Sequence, residues 1–449
     1  MKSPSFYNKA AYASIFAIVA ITTLFYGAVH QVVIGFAYLM VVFLAVLWAS
    51  DCVKLEAFKF SVEPIQLILY AAAVYGFVQT IPFGSTSMPA GIDSVARTIS
   101  IDPFATKVSA LHFLILAIYF SVVLTLFSSA SRLKKFATFL TVFGAAFAFF
   151  AILQSLLSPT KIYGLLERTY AQPFGAFVSR NNYAAWMEMA IAVPMALLFT
   201  GSVSKDKHLI IITAVSVMGA SLILSGSRGG LVVLVLQLGF LLLLTYSRKK
   251  KGSLWLKVAL ALGLLAGMIA GTAFVGGEST LTRLNEEQAP EASTINRPVI
   301  WRVTGRIIAD HPILGAGLGA YGVAYTKYDK SSGFERVEQA HNDYLQVLSD
   351  AGVVGGILGL AFLALLISHG YRGVRTSNRT RRAIAIGSLT GIFGVLVHSL
   401  FDFGLHTMSI AVLFLTLVAL LVASGSNYED DELEKLDGRG LAKHDGRSI

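Results

Sequence analysis

A chain of 449 residues in which 55% are hydrophobic and only 14% charged, with a mean hydropathy of +0.67, is too apolar for a water-soluble globule and reads as an integral membrane protein. Its net charge of +10 is mostly a topology signal, because basic residues gather in alternate short loops, and it calls for no nucleic-acid partner. One cysteine, Cys52, and the absence of CxxC or Cys/His spacings exclude an intramolecular disulfide and a structural zinc site.

A bilayer-crossing helix needs about 20 apolar residues. Runs near that length, free or nearly free of charge, occur at 10–29, 32–49, 65–81, 108–130, 136–157, 183–201, 209–224, 229–246, 254–275, 351–368, 383–401 and 407–424. They predict an all-α fold, a polytopic membrane bundle of about twelve transmembrane helices. The first run follows Lys2 and Lys9, but no small-residue cleavage pattern comes after it, so it is read as a retained span rather than a signal peptide.

With both termini in the cytoplasm, the inner loops hold Lys54 and Lys59; Arg132, Lys134 and Lys135; Lys205 and Lys207; Arg248 to Lys251; and Arg372, Arg375, Arg379, Arg381 and Arg382. The acidic stretch 425–449 lacks apolar periodicity and reads as a disordered cytoplasmic tail behind a transmembrane domain, 1–424. Thirteen of the 36 basic residues then fall outside, seven of them in one long extracytoplasmic loop at 276–343. Topology gives them no reason to be there.

In chain order, the first motif is "QPFGAFVSRNNYAAWMEMA" (172–190). It brings Arg180 to the outer mouth of a span, with Asn181 or Asn182 as helix cap and the helix N-terminus as an anion site. Glu188 follows inside the apolar zone, where a carboxylate needs a partner. The next, "LSGSRGG" (224–230), sets Arg228 in a tight glycine-flanked turn, suited to bidentate binding of phosphate.

The long loop contains "NRPVIWRVTGRIIADHPILGAGLGAYGVAY" (296–325), a helix between Pro298 and Pro312 with Val299, Val303 and Ile307 on one stripe and Arg302, Arg306 and Asp310 on another. Such an amphipathic helix is suited to lie along the membrane surface. Then "AHNDYLQVLSDAGVVGG" (340–356) opens a span with His341 at its mouth, Asn342 and Asp343 as caps, and Gly352, Gly355, Gly356 and Gly359 as a close-packing seam. An imidazole, with an ordinary pKa of about 6.5, can take a proton from a hydroxyl. Last comes "HSLFDFGLH" (398–406), in which His398, Asp402 and His406 recur at spacing four. A turn between spans interrupts any single helix there, which favours a hydrogen-bonded cluster supporting the site over a metal pair.

Each motif alone has a bland account, such as an arginine meeting lipid headgroups. Together, several arginines and one histidine on the outer face suit a lipid-linked diphosphate donor. Arginines neutralise the leaving diphosphate, and His341 serves as base for the acceptor hydroxyl.

These motifs, in this order among about twelve spans, resemble the O-antigen ligase and polymerase family of bacterial surface polysaccharide assembly, over roughly 170–410. The resemblance implies a GT-C-like membrane fold in the bacterial inner membrane, an undecaprenyl diphosphate-linked glycan donor, and a metal-independent inverting transfer without cofactor. It implies essential Arg180, Arg228, Arg302 and His341 on the periplasmic face, with Asn182, Arg297, Arg306, Asn342 and Asp343 as substrate-binding candidates. The acceptor is a growing glycan in a polymerase and lipid A core in a ligase; a chain-length regulator is a candidate partner. Nothing in the sequence speaks for a lipid A core acceptor, which favours a polymerase of O-antigen or exopolysaccharide, with the ligase as alternative. A glycan or lipid transporter is the reading of another class; it calls for charges near the bilayer midplane.

Overall fold

The computed structural model describes residues 4–86, 95–167, 172–246, 251–285, 297–330 and 336–425. The polar tail expected at 425–449 lies almost wholly outside them.

Fourteen helices follow in order among the described residues: α1 (Phe6–Leu24), α2 (Gln31–Leu55), α3 (Ile65–Val78), α4 (Pro103–Leu126), α5 (Ala130–Leu157), α6 (Arg180–Phe199), α7 (His208–Leu224), α8 (Arg228–Thr245), α9 (Lys251–Asn285), α10 (Arg297–Asp310), α11 (Tyr321–Thr326), α12 (Asp343–Arg375), α13 (Arg379–His398) and α14 (Met408–Gly425). Side-chain caps start many of them. Ser5, Asp102, Ser129, Ser227, Asn342 and Asn378 each accept a backbone N–H that the first helical turn leaves without a partner. Two short hairpins, β1 (Ser85–Thr86) with β2 (Val95–Ala96) and β3 (Lys161–Ile162) with β4 (Leu166–Glu167), are antiparallel.

All twelve apolar runs fold as helices, but ten helices among the described residues are long and apolar enough to cross a membrane. The two that fall short of that measure carry the runs at 10–29 and 65–81. Polar residues open α1, which includes Asn8 and Lys9, and α3 has only 14 residues.

The centre of the bundle is α6 packed on α13 and α14, and nearly every residue of α6 and α14 is buried. Small residues permit the close approach. A Cβ on Gly387 would lie 2.8 Å from the Cα of Val193, and one on Gly391 would lie 3.0 Å from the Met189 carbonyl oxygen. In lipid, where apolar burial against a neighbour gains little over burial in acyl chains, such backbone-to-backbone packing holds helices together.

Helix α12 is broken at Gly352 (φ 58°, ψ −149°), and the loop 312–320 fills the break. Val353 N–H donates to the Pro312 carbonyl (2.9 Å), Ala316 N–H to Ser349 (2.8 Å) and Gly317 N–H to Asp350 (3.0 Å). Gln79, at the end of α3, locks the pair: its amide nitrogen donates to the carbonyls of Leu314 (2.8 Å) and Asp350 (3.1 Å), and its oxygen accepts from Leu318 N–H (3.0 Å). Gly315, Gly317 and Gly319 all have positive φ, which explains the glycine spacing of "LGAGLGAY". The expected glycine seam therefore resolves differently. Gly352 is a backbone break whose missing Cβ makes room for the Ile313 carbonyl, and Gly359 faces open space.

Candidate active site at the His341 end

Four separated segments meet at one end of the bundle. The turn before α8 holds Ser227, whose hydroxyl donates to Asn181 Oδ1 on α6 (3.0 Å). One residue on, Asn182 Nδ2 donates to Thr407 Oγ1 (3.0 Å), in the turn between α13 and α14. In that turn His406 Nδ1 lies 3.0 Å from Asp343 Oδ1, at the start of α12. The other Asp343 oxygen accepts from Ser399 Oγ (2.6 Å). These side-chain hydrogen bonds, linked through the backbone from Asn181 to Asn182 and from Thr407 to His406, thus form a path that connects the Arg228 turn to the helix that His341 precedes.

Arg180 and Arg228 stand on this path as the first residues of α6 and α8. The cap of α6 is Ser179, not Asn181 or Asn182; the two asparagines lie inside the first turn and reach sideways to other segments. Arg228 is exposed. Beneath its turn lies Glu188, fully buried, with His398 Nδ1 at 3.0 Å from Oε1. Gly230 needs its lack of a side chain, since a Cβ there would come 2.9 Å from Ala184 Cβ and 3.2 Å from Glu188 Oε1. Glu188 thus has the partner that a carboxylate in a span requires, and the pair forms the floor of the arginine turn.

His341 has φ of 50°, a left-handed conformation that costs a non-glycine residue about 1–2 kcal/mol. Its neighbours hold it there. Ala340 N–H donates to Gln346 Oε1 (2.7 Å), the Ala340 carbonyl accepts from Trp301 Nε1 (3.1 Å), and Asn342 Nδ2 donates to the Leu400 carbonyl (3.0 Å). Asn342 caps α12 as expected, accepting from Tyr344 and Leu345 N–H at 3.0 Å each. The imidazole packs edge-on against Phe403, 4.8 Å between ring centres. Its Nδ1 faces Asp402 Oδ1 at 3.7 Å, beyond hydrogen-bond length, and is buried without a hydrogen-bond partner among the described residues. A strained, well-braced histidine is what a site under functional constraint displays.

Burial works against ionisation of Asp402, but contact with His341, the charge of His398 and a hydrogen bond from Phe403 N–H (2.9 Å) outweigh it and hold its carboxyl below the usual range. For His406, loss of hydration among the surrounding residues disfavours the charged ring although the side chain keeps some exposure, yet the Asp343 hydrogen bond, the charges of Asp343 and Asp350 and a backbone hydrogen bond with Phe403 push the imidazole above its ordinary value. His398, Asp402 and His406 thus turn to three different partners around the site, since α13 ends at His398 and α14 begins at Met408.

Helix α10 adjoins through the Trp301 bond to Ala340. Its buried stripe is Ile300, Val303, Thr304 and Ile307, so Val303 and Ile307 face inward as expected, whereas Val299 is 39% exposed and Ile300 is buried in its place. Arg302 and Arg306 lie on its exposed face, and Arg297 is half-buried at its start. Asp310 does not belong to a site; it pairs with Lys327 at 2.8 Å and with the Tyr328 hydroxyl. The structure therefore gathers Arg180, Asn182, Arg228, His341, Asn342 and Asp343, while Arg297, Arg302 and Arg306 border the group on α10.

Asp402 and Gln79 were not among the expected site residues. Asp402 had a visible signal in its place within the His398–His406 cluster; Gln79, an isolated polar residue at the end of an apolar run, had none.

One end of this helical bundle thus combines a braced histidine, buried carboxylates and exposed arginines. Residues 213–360 match the family model described as O-Antigen ligase, and no curated protein matches the chain. The resemblance read from the motifs is thus matched over about a third of the chain, where residues 213–360 are similar to the O-antigen ligase family. The match takes in Arg228, α10 and His341, but stops short of Arg180, Asn182 and the 398–406 turn.

Proposed function

We propose that the protein is an O-antigen ligase, transferring glycan from a polyprenyl diphosphate-linked donor to lipid A core on the extracytoplasmic face of the bacterial inner membrane. The matched family model is a ligase, which turns the preference for a polymerase drawn from the motifs toward its alternative. The observation that carries the reading is the joining of the Arg228 turn and the His341 mouth through Asn181, Asn182, Thr407 and Asp343. A diphosphate and the hydroxyl that displaces it need arginine and base side by side.

In the reaction, an acceptor hydroxyl oxygen attacks the anomeric carbon, and the bond from that carbon to the diphosphate oxygen breaks with its electron pair leaving on the diphosphate. The hydroxyl proton passes to His341, and Asp402 behind its Nδ1 stabilises the imidazolium that forms. Arg228 and Arg180 neutralise the diphosphate as its charge develops, with Arg302 from α10 beside them. A single displacement inverts the anomeric centre, and no step calls for a metal.

The test is transfer by the purified chain in detergent from an undecaprenyl diphosphate-linked glycan, with EDTA present and with lipid A core or free glycan as acceptor. Transfer to lipid A core that survives EDTA and is lost in His341→Ala supports the ligase. Glycan elongation without lipid A core restores the polymerase, and donor binding without transfer to either acceptor points to a transporter.

A further inference from the structure

Two partly exposed imidazoles, His341 and His406, stand at this end of the molecule, and their settings differ. The His341 side chain is 33% exposed and lies 3.7 Å from Asp402; the His406 side chain is 38% exposed and lies 3.0 Å from Asp343. The Asp343 carboxylate is buried, and its second oxygen is taken by Ser399. It is a fixed acceptor for His406 Nδ1–H, so of the two ring nitrogens it is Nε2 that this carboxylate leaves unengaged. His406 also precedes Thr407, which accepts from Asn182, two residues from Arg180. Through Asn181 and Ser227 the same network reaches the Arg228 turn.

We propose that His406 is a further donor-binding residue, its Nε2–H hydrogen-bonding the diphosphate of the polyprenyl-linked donor beside Arg180 and Arg228. This rests on the ligase reading for the identity of the donor. Geometry divides the labour between the imidazoles. His406, in hydrogen-bond contact with a carboxylate, has its cation favoured and suits an anionic leaving group; His341, whose Nδ1 has no hydrogen-bond partner among the described residues, takes the acceptor proton. The charged and titratable groups acting on His406 are Asp343 and Asp350 of α12, which favour its cation, and His112 of α4, whose charge would oppose it. The net effect raises the imidazole above its ordinary value.

The sign of the pH dependence follows. A raised imidazole value means that the cation, and with it the diphosphate contact, is complete at low pH and is lost as pH rises through that value. Removing the Asp343 charge moves the loss to lower pH.

The experiment measures binding of undecaprenyl diphosphate, and separately undecaprenyl monophosphate, to the full-length protein in detergent across pH 5–9. The variants are His406→Ala, His406→Gln, Asp343→Asn and His341→Ala, each checked for an unaltered melting profile. His406→Ala is expected to weaken diphosphate binding about tenfold or more, as loss of a charge-assisted hydrogen bond implies, and to flatten the pH dependence. His406→Gln keeps a donor without charge and is expected to fall between, Asp343→Asn to shift the alkaline loss downward, and the monophosphate to lose less. Diphosphate affinity and pH dependence equal in wild type and His406→Ala overturn the proposal, as does wild type that fails to bind the diphosphate. His406-dependent binding together with no transfer to lipid A core or glycan instead overturns the ligase reading and leaves this assignment standing.

Discussion

The two ends of the bundle both contain an arginine among buried polar groups, yet they treat it differently. At the end formed by the start of α1, the finish of α2 and the start of α5, Arg132 donates to the Leu126 carbonyl (2.9 Å) and to Asn8 Oδ1, and its guanidinium lies 5.0 Å from the Tyr12 ring centre. Asp51 beside it accepts from Ser5 Oγ (2.5 Å) and Asn8 Nδ2 (2.7 Å). About 42 Å away along the 28 residues of α5, the polar groups of the His341 end are also bonded to one another, but Arg228, Arg302, Arg306 and His406 keep exposed side chains. One end uses charge to tie helices together. The other uses buried hydrogen bonds to brace segments that carry exposed charges, as the proposed anion site requires.

That contrast can be broken by mutation, beginning with the largest expected loss. His341→Ala is expected to lower the transfer rate by about 10²–10⁴-fold, the usual contribution of a general base, with diphosphate binding retained; a steady-state assay showing wild-type kcat would remove it from the mechanism. Arg228→Ala should cost about 10²–10³-fold in kcat, as loss of a charge-stabilising donor does, and Arg228→Lys should recover little, because an ammonium cannot reproduce the bidentate fork. Full recovery by lysine would mean that Arg228 supplies only charge.

Smaller effects test the bracing. His398→Ala leaves the Glu188 carboxylate buried and unpaired and is expected to destabilise the protein by about 3–5 kcal/mol, read as a fall in melting temperature in detergent; an unchanged melting temperature would show that the pair is not the floor of the Arg228 turn. Gly352→Ala forces a side chain into a positive-φ break closed by the Ile313 carbonyl, at a cost of about 1–3 kcal/mol in backbone strain, and faster proteolysis of the 312–320 loop would report it. The smallest effect is expected of Arg132→Lys, which should lower stability slightly and leave kcat unchanged. A large fall in kcat there would erase the distinction between the two ends.

Most of the helices were legible because apolar runs of membrane length have few ways to fold other than as helices. Arg228 and His341 were legible as residues out of keeping with the charge rule and with a span's usual opening. What joins them was not. Glu188 called for a partner and His398 stood in a polar cluster, but the two are 210 positions apart, and no periodicity pairs residues at that distance. The glycines of α12 were misread for a related reason: composition shows that close approach is possible, whereas only the fold shows that Gly352 meets a loop and Gly359 meets nothing.

Gln79 has a consequence for modularity. One amide from the first quarter of the chain holds the loop before α11 against the broken helix that carries Asp343, and α6 and the α13–α14 turn supply the rest of the site. The stretch 213–360 is therefore not a transplantable cassette. The geometry of the candidate site depends on segments on both sides of it, so chimeras that exchange only this stretch between proteins are expected to insert in the membrane without acquiring the proposed transfer activity.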